Sequence, residues 1–98
     1  MYGIIGKMIA TKGSREQLIS ILIDGTKDMP GCHLYAVSAD TSDETGIWIT
    51  EFWDSEASHQ ASLSLPTVQA AIAKGRPLIA GFDQRHIVTP MGGVGVTG

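Results

Sequence analysis

Gly46-Ile47-Trp48-Ile49-Thr50-Glu51-Phe52-Trp53-Asp54-Ser55-Glu56 decides the fold. From Ile47 to Trp53 every residue but Glu51 is β-branched or aromatic, the composition of a pleated strand. Asp54 and Ser55 then offer side-chain oxygens to the orphan N–H groups of a helix. Glu56 places a negative charge in its first turn. A strand therefore runs directly into a helix. Alternate strand residues share a face, so Ile47, Ile49, Glu51 and Trp53 lie on one side and Trp48, Thr50 and Phe52 on the other.

Toward the N-terminus, Asp40 to Gly46 is rich in Asp, Ser, Thr and Gly, a hairpin connection. It joins this strand to an earlier one, Cys32 to Asp40. Asp28-Met29-Pro30-Gly31 ends a helix, since proline disfavours the helical state of the residue before it and glycine allows positive φ. Leu18, Ile19, Ile21, Leu22 and Ile23 form that helix's apolar face. Ser14-Arg15-Glu16-Gln17 has the spacing of a capping box at its start. Tyr2 to Thr11 reads as the first strand.

Toward the C-terminus, a helix spans about Ser55 to Leu63 and is broken or restarted at Pro66. Val68, Ala71 and Ile72 continue its apolar stripe. Residues 76–81 suggest a short extra turn, and Phe82 to Thr89 a fourth strand. The order β-α-β-β-α-β predicts a ferredoxin-like α+β sandwich. Residues 1–90 form one domain and residues 91–98 a glycine-rich tail.

Two helices cover one side of a four-stranded sheet. A half-solvated antiparallel sheet should alternate apolar and polar residues. Neither the first nor the third strand has a polar face. A second copy of the chain is the simplest cover, so the sequence predicts a homodimer joined through the open sheet face.

Composition removes other classes. With 98 residues the chain makes a single domain. A net charge of −3 offers no basic footprint for nucleic acid or anionic lipid. No apolar run reaches the length of a membrane span. The N-terminus does not read as a signal peptide, and the single cysteine, Cys32, fits a reducing cytoplasm.

Met29-Pro30-Gly31-Cys32-His33-Leu34-Tyr35, then Ile49 through His59, then Leu65-Pro66, resemble the antibiotic biosynthesis monooxygenase family. The shared pattern is a Pro-Gly-Cys turn into strand two, a Glu-x-Trp at the end of strand three, and an acidic helix start followed by a histidine. The resemblance runs from the first strand to Phe82. It implies a dimeric α+β barrel and a pocket in each subunit between sheet and helices. It also implies oxidation of a small aromatic, a quinol or polyketide-like phenol, by O₂ without metal or flavin. Some members of the family place an asparagine and a tryptophan around the substrate; this chain has no asparagine. Its first strand also lacks the asparagine of the haem-degrading branch, and Ser62 stands where that branch has tryptophan, which argues against haem degradation.

His59 and Glu51 are the catalytic candidates. His59 lies about one turn into its helix and points back toward Trp53. Imidazole titrates near neutrality, so it suits removal of a phenolic proton; the alternative is an exposed helix histidine. Glu51 is an acid within an apolar strand. Burial would raise its pKa as a general base requires, while the structural alternative is an ion pair with Lys7 or Arg85. Trp53 serves as a pocket wall, a core residue, or both. Ser62 and Tyr35 complete the substrate-binding candidates. The three histidines, His33, His59 and His86, lack metal-ligand spacing, so no metal and no cofactor are expected. Cys32 reads as structural. Gly93 to Gly98 matches G-x-G-x-x-G, but a dinucleotide site needs a helix directly after the first turn. An alternative use of the same pocket is isomerisation of a small dicarbonyl metabolite, or binding without turnover. A cation near His59 favours that alternative; Lys7, Arg76 and Arg85 are the candidates.

Overall fold

The computed structural model describes residues 1–96. Its elements are β1 (Tyr2–Ala10), α1 (Arg15–Gly25), β2 (Cys32–Ala39), β3 (Gly46–Trp53), α2 (Glu56–Ser62), α3 (Pro66–Gly75), a short 3-10 turn (Arg76–Leu78) and β4 (Ile79–Val88). The strands make one antiparallel sheet in the order β2-β3-β1-β4. This is the ferredoxin-like α+β fold, with the second helical segment divided at Pro66.

The register explains the core. Tyr2 pairs with Trp53, Ile4 with Glu51 and Met8 with Ile47. Paired residues share a face, so the even positions of β1 and the odd positions of β3 meet under the helices. Met8, Ala10, Ile47 and Ile49 pack against Leu18 of α1. At the other end Trp53 packs with Met29 and with Val68 of α3.

Two helix starts differ. In α2 the Ser55 hydroxyl accepts the Ser58 backbone N–H at 3.1 Å, the cap that the sequence suggests. In α1 the capping box does not form. Ser14 has φ −105° and ψ −1°, which turns its hydroxyl away from the helix amides. That hydroxyl instead accepts from Thr11 Oγ1 at 2.8 Å. Another correction concerns β4, which begins at Ile79 and not at Phe82. Its register against β1 shifts twice, between Lys7 and Met8 and between Ile9 and Ala10, and these irregularities let Ile79 and Gly81 join the ladder.

The Pro-Gly turn is fitted to the start of α2. Gly31 has φ +81°, and a Cβ there would lie 2.7 Å from Ser58 Oγ and 2.9 Å from Asp54 Oδ1. The Gly31 carbonyl accepts the Asp54 N–H at 2.9 Å. Gly31→Ala is therefore expected to destabilise by more than about 1 kcal/mol, read as a lower urea midpoint. An unchanged midpoint would mean that the turn relaxes freely.

The opposite end is held by charge. Arg15 Nη1 donates to the carbonyls of Asp40, Asp43 and Gly46 at 3.0, 2.9 and 3.4 Å. Lys7 does not pair with Glu51, because it is on the other sheet face. It meets Asp40 at 3.5 Å, Asp43 at 3.1 Å and Asp83 at 3.7 Å. Trp48 Nε1 donates to Asp40 Oδ2 at 2.8 Å. That bond, followed by the Ser42 N–H, pulls the Asp40 carboxyl from 3.8 down to about 2. A lowered folded pKa contributes stability above the unfolded value, and this is lost as pH falls through about 2. Trp48→Phe is expected to lower the melting temperature at neutral pH. Its gap to wild type should close as pH falls from about 4 toward 2; a gap constant across that range would refute this linkage.

On the face away from the helices, Ile5, Trp48, Thr50 and Phe52 are half-buried. Gly3 makes room there, since a Cβ would lie 2.7 Å from Val88 Cγ2 and 3.1 Å from both Phe52 and Pro90. Most of β4 is exposed on both faces, with Phe82 74% exposed. Met91 to Gly95 is exposed as well. The expected tail, and the final residues of its G-x-G-x-x-G run, include residues 97 and 98, outside the described residues. Among the described residues, no helix is long and apolar enough to cross a membrane.

Candidate functional site

Glu51 stands within β3 between Ile4 of β1 and Tyr35 of β2. All three face the helices. Its Oε1 accepts the indole N–H of Trp53 at 3.0 Å. The same oxygen lies 3.8 Å from His59 Nε2. Burial raises the Glu51 pKa. The Trp53 N–H, then the charges of His59 and Arg85, pull it back.

His59 reaches this point because α2 follows β3 with almost no connection. One turn of helix brings the imidazole back over the strand end it has just left. Trp53 meets it edge-on, with ring centroids 5.5 Å apart and planes at 67°. Tyr2, paired opposite Trp53, closes the other side at 5.8 Å and 36°. These rings leave His59 only 9% exposed. It is not the exposed or half-exposed helix histidine that its sequence position allows. Its Nδ1 is buried and has no hydrogen-bond partner.

Trp53 is fully buried, so its ring belongs to the core while its N–H serves Glu51. Ser62 lies on the same side of α2 as His59 and is also buried. Its hydroxyl donates to the His59 carbonyl at 2.6 Å, holding the helix rather than presenting a free donor. Tyr35 packs against both core clusters. Burial, with the Glu51 charge added, pushes its phenol well up. Cys32 donates weakly to the Leu34 carbonyl at 3.4 Å, and burial raises its thiol too.

A groove of about 370 Å³ runs along β2 and the end of α1. Cys32 and Tyr35 line it, with Ile23, Met29, Leu34 and Val37; Glu51 and His59 do not. The titratable pair is therefore separate from this groove, with Tyr35 paired beside Glu51 on the neighbouring strand. His33 also lines the groove; it falls at the irregular pairing between Cys32 and Leu34, and it is exposed. His86 lies on exposed β4, 3.2 Å from Gln84 Oε1. Among the described residues no three His, Cys, Asp or Glu side chains form a group that could hold a metal ion.

Tyr2 is the site residue that sequence reasoning passed over. Alternation within β1 sets it on the face of Ile4 and Met8, but only the β1–β3 register puts its ring beside His59. That register joins residues from opposite halves of the sequence, and periodicity within one strand does not report it.

Comparison with known proteins agrees with this architecture. The family model for antibiotic biosynthesis monooxygenases matches residues 1–74. A protein from Chloroflexus aurantiacus J-10-fl, described provisionally as an antibiotic biosynthesis monooxygenase, is 60% identical. The match covers 94% of each chain with a TM-score of 0.92. A Deinococcus radiodurans protein with the same provisional description is 26% identical over the whole of both chains, at a TM-score of 0.75. A Caulobacter crescentus structure shares the fold at a TM-score of 0.82 and 16% identity, covering 93% of this chain and 90% of its own. A search of curated proteins finds no match. With the family model matched from β1 into α3 and a 60% identical relative along almost its full length, the chain belongs to the antibiotic biosynthesis monooxygenase family.

Proposed function

We propose that the chain is a cofactor-independent monooxygenase that oxidises a small aromatic, a quinol or polyketide-like phenol, with O₂. The observation that carries this reading is the buried His59, flanked by the rings of Tyr2 and Trp53 and 3.8 Å from the half-buried Glu51. His59 takes a phenolic proton, and the aromatic surroundings hold the electron-rich anion that results. For an anthrone-like substrate, the ring methylene becomes a carbonyl with one oxygen atom. The other oxygen leaves as water with the two methylene hydrogens, and the substrate supplies all four electrons. Glu51 is the second titratable group, and Trp53, Ser62 and Tyr35 shape the surroundings. No metal or flavin takes part in this scheme. The proposed setting is cytoplasmic, in keeping with one unpaired cysteine.

Oxygen uptake by metal-stripped protein against hydroquinones and anthrone-like phenols, corrected for autoxidation, tests the reading. Saturable uptake is expected. Uptake no faster than background across the panel would overturn it. One observation favours a second use of the pocket, isomerisation of a small dicarbonyl metabolite: Arg85 pairs with Gly6 on the sheet face that carries Glu51, and an anionic substrate needs such a cation. Turnover of dicarbonyls without oxygen uptake would select it.

The same proposal pairs two copies of the chain through the open sheet face. Ile5, Trp48 and Phe52 on that face support the pairing. Light scattering at micromolar concentration is expected to give twice the chain mass. A monomer would rule the pairing out.

A further inference from the structure

Gly6 lies in the middle of β1, on the helix side of the sheet, between Ile4 and Met8. A glycine weakens a strand interior, and there it often marks the close approach of a ligand or another backbone. The other reasons for a glycine are missing at this position. Its φ is not positive. A Cβ at Gly6 would meet one atom, the Gln84 carbonyl oxygen at 3.4 Å, an ordinary contact. Gly3 and Gly46 differ, since a Cβ there would come within 2.7 and 2.8 Å of a neighbouring side chain. Gly81 also has open space, but it adjoins a register shift between β4 and β1. Gly6 therefore leaves a gap in the helix-side face, and because the residue is half-buried the gap opens to solvent. The buried Ile4 and Met8 flank it along β1, and Ile49 is its partner on β3. Glu51 is its diagonal neighbour, about 7–8 Å away at the backbone. On the other side the exposed Arg85 pairs with Gly6, between Ile87 opposite Ile4 and Phe82 opposite Met8. Ile87 and Phe82 are exposed as well, for α1 packs on β2 and β3 and α2 on β3.

We infer that the gap over Gly6 receives the ring of a small phenol that carries a carboxylate, and that Arg85 holds the carboxylate and selects for it. This rests on the proposed phenol chemistry and names the group the phenol must bear. Bare backbone at Gly6 lets a flat ring come into contact with the sheet, and Ile4, Met8 and Ile49 give it apolar walls. A guanidinium matches a carboxylate in shape as well as in charge. Glu51 is the one acid on these rows, and its carboxyl is turned to Trp53 and His59. The ligand's anionic end therefore belongs on the β4 side, beside Arg85, with the opposite edge of the ring toward Glu51. The open sheet face proposed for pairing is on the other side of β1, so the gap stays accessible in a pair.

Calorimetric titration under nitrogen tests this without turnover. Hydroquinone is compared with 2,5-dihydroxybenzoate, the same ring bearing a carboxylate. The acid is expected to bind about tenfold or more tightly, the order of a charge-assisted hydrogen bond. Equal affinities, or no binding of the acid, would overturn the inference. Arg85→Met should abolish the preference and Arg85→Lys keep part of it; a preference unchanged in Arg85→Met would remove the role given to Arg85. Levulinate, an aliphatic oxo acid, should bind more weakly than the dihydroxybenzoate, and equal binding would show that no ring is recognised. Gly6→Val should weaken binding of both rings by about tenfold or more without lowering the melting temperature, since it fills open space with a residue suited to strands. Unchanged binding in that variant would make the gap a packing defect, and a change in its mass by light scattering would assign the gap to a second copy; either overturns the inference. Gly6→Ala, whose Cβ has room, carries the same test if valine unfolds the chain. Dihydroxybenzoate that binds as expected but supports no oxygen uptake would leave this inference standing and count against the oxygenase reading. Uptake with no preference for the carboxylate would do the reverse.

Discussion

Trp53→Ala is expected to cost about 3–5 kcal/mol of folding stability, the range for truncating a fully buried aromatic. Trp53 has no exposed surface and packs with Met29 and Val68 in the cluster that joins α3 to the sheet. Its loss also leaves the raised Glu51 carboxyl without its nearest donor. In a domain of this size the melting temperature should fall by about 4–8 °C for each kcal/mol. Thermal unfolding followed by circular dichroism reads the result directly. A variant that melts with wild type would show that the ring is not core. Trp53→Phe separates the two effects, since it keeps most of the volume and removes only the N–H.

His59→Gln is expected to lower turnover of an active phenol by about 10²–10⁴-fold, the usual contribution of a positioned base. Glutamine is the better replacement because His59 is buried, and alanine would open a cavity between Tyr2 and Trp53. The variant should retain the wild-type state of assembly, because α2 lies on the opposite side of the sheet from the open face. Full activity in a folded His59→Gln protein would end the role proposed for this residue.

The fold was legible because its signals are local. The β-branched run of β3, the Ser55 cap and the Pro-Gly turn each act within a few residues. The boundary at Ile79 was not legible, because it depends on register shifts against β1. The Ser14 cap failed for a local reason: its backbone angles turn the hydroxyl from the helix amides, and it accepts from Thr11 instead. Glu51, Trp53 and His59 could be read as neighbours from strand alternation and one turn of helix. Ser62 could be placed on the right face, but not matched to its carbonyl partner. Tyr2 needed the pairing of β1 with β3, and the burial of His59 needed Tyr2. The charged cluster of Lys7 with Asp40, Asp43 and Asp83 spans β1, the hairpin and β4, and no single stretch of sequence announces it.

The placement of β1 also sets a timetable. β1 is the first strand to be synthesised, and it lies inside the sheet between β3 and β4. Its pairing with β3 is available once residues 46–53 have left the ribosome. Its other edge stays open until residues 79–88 follow. Throughout that interval the nascent sheet carries an unpaired, largely apolar edge from Gly3 to Ala10, the kind of surface that invites pairing between neighbouring chains. The emergence of α2 and α3 from the ribosome is thus the period of greatest exposure to misassembly, and arrival of β4 closes it.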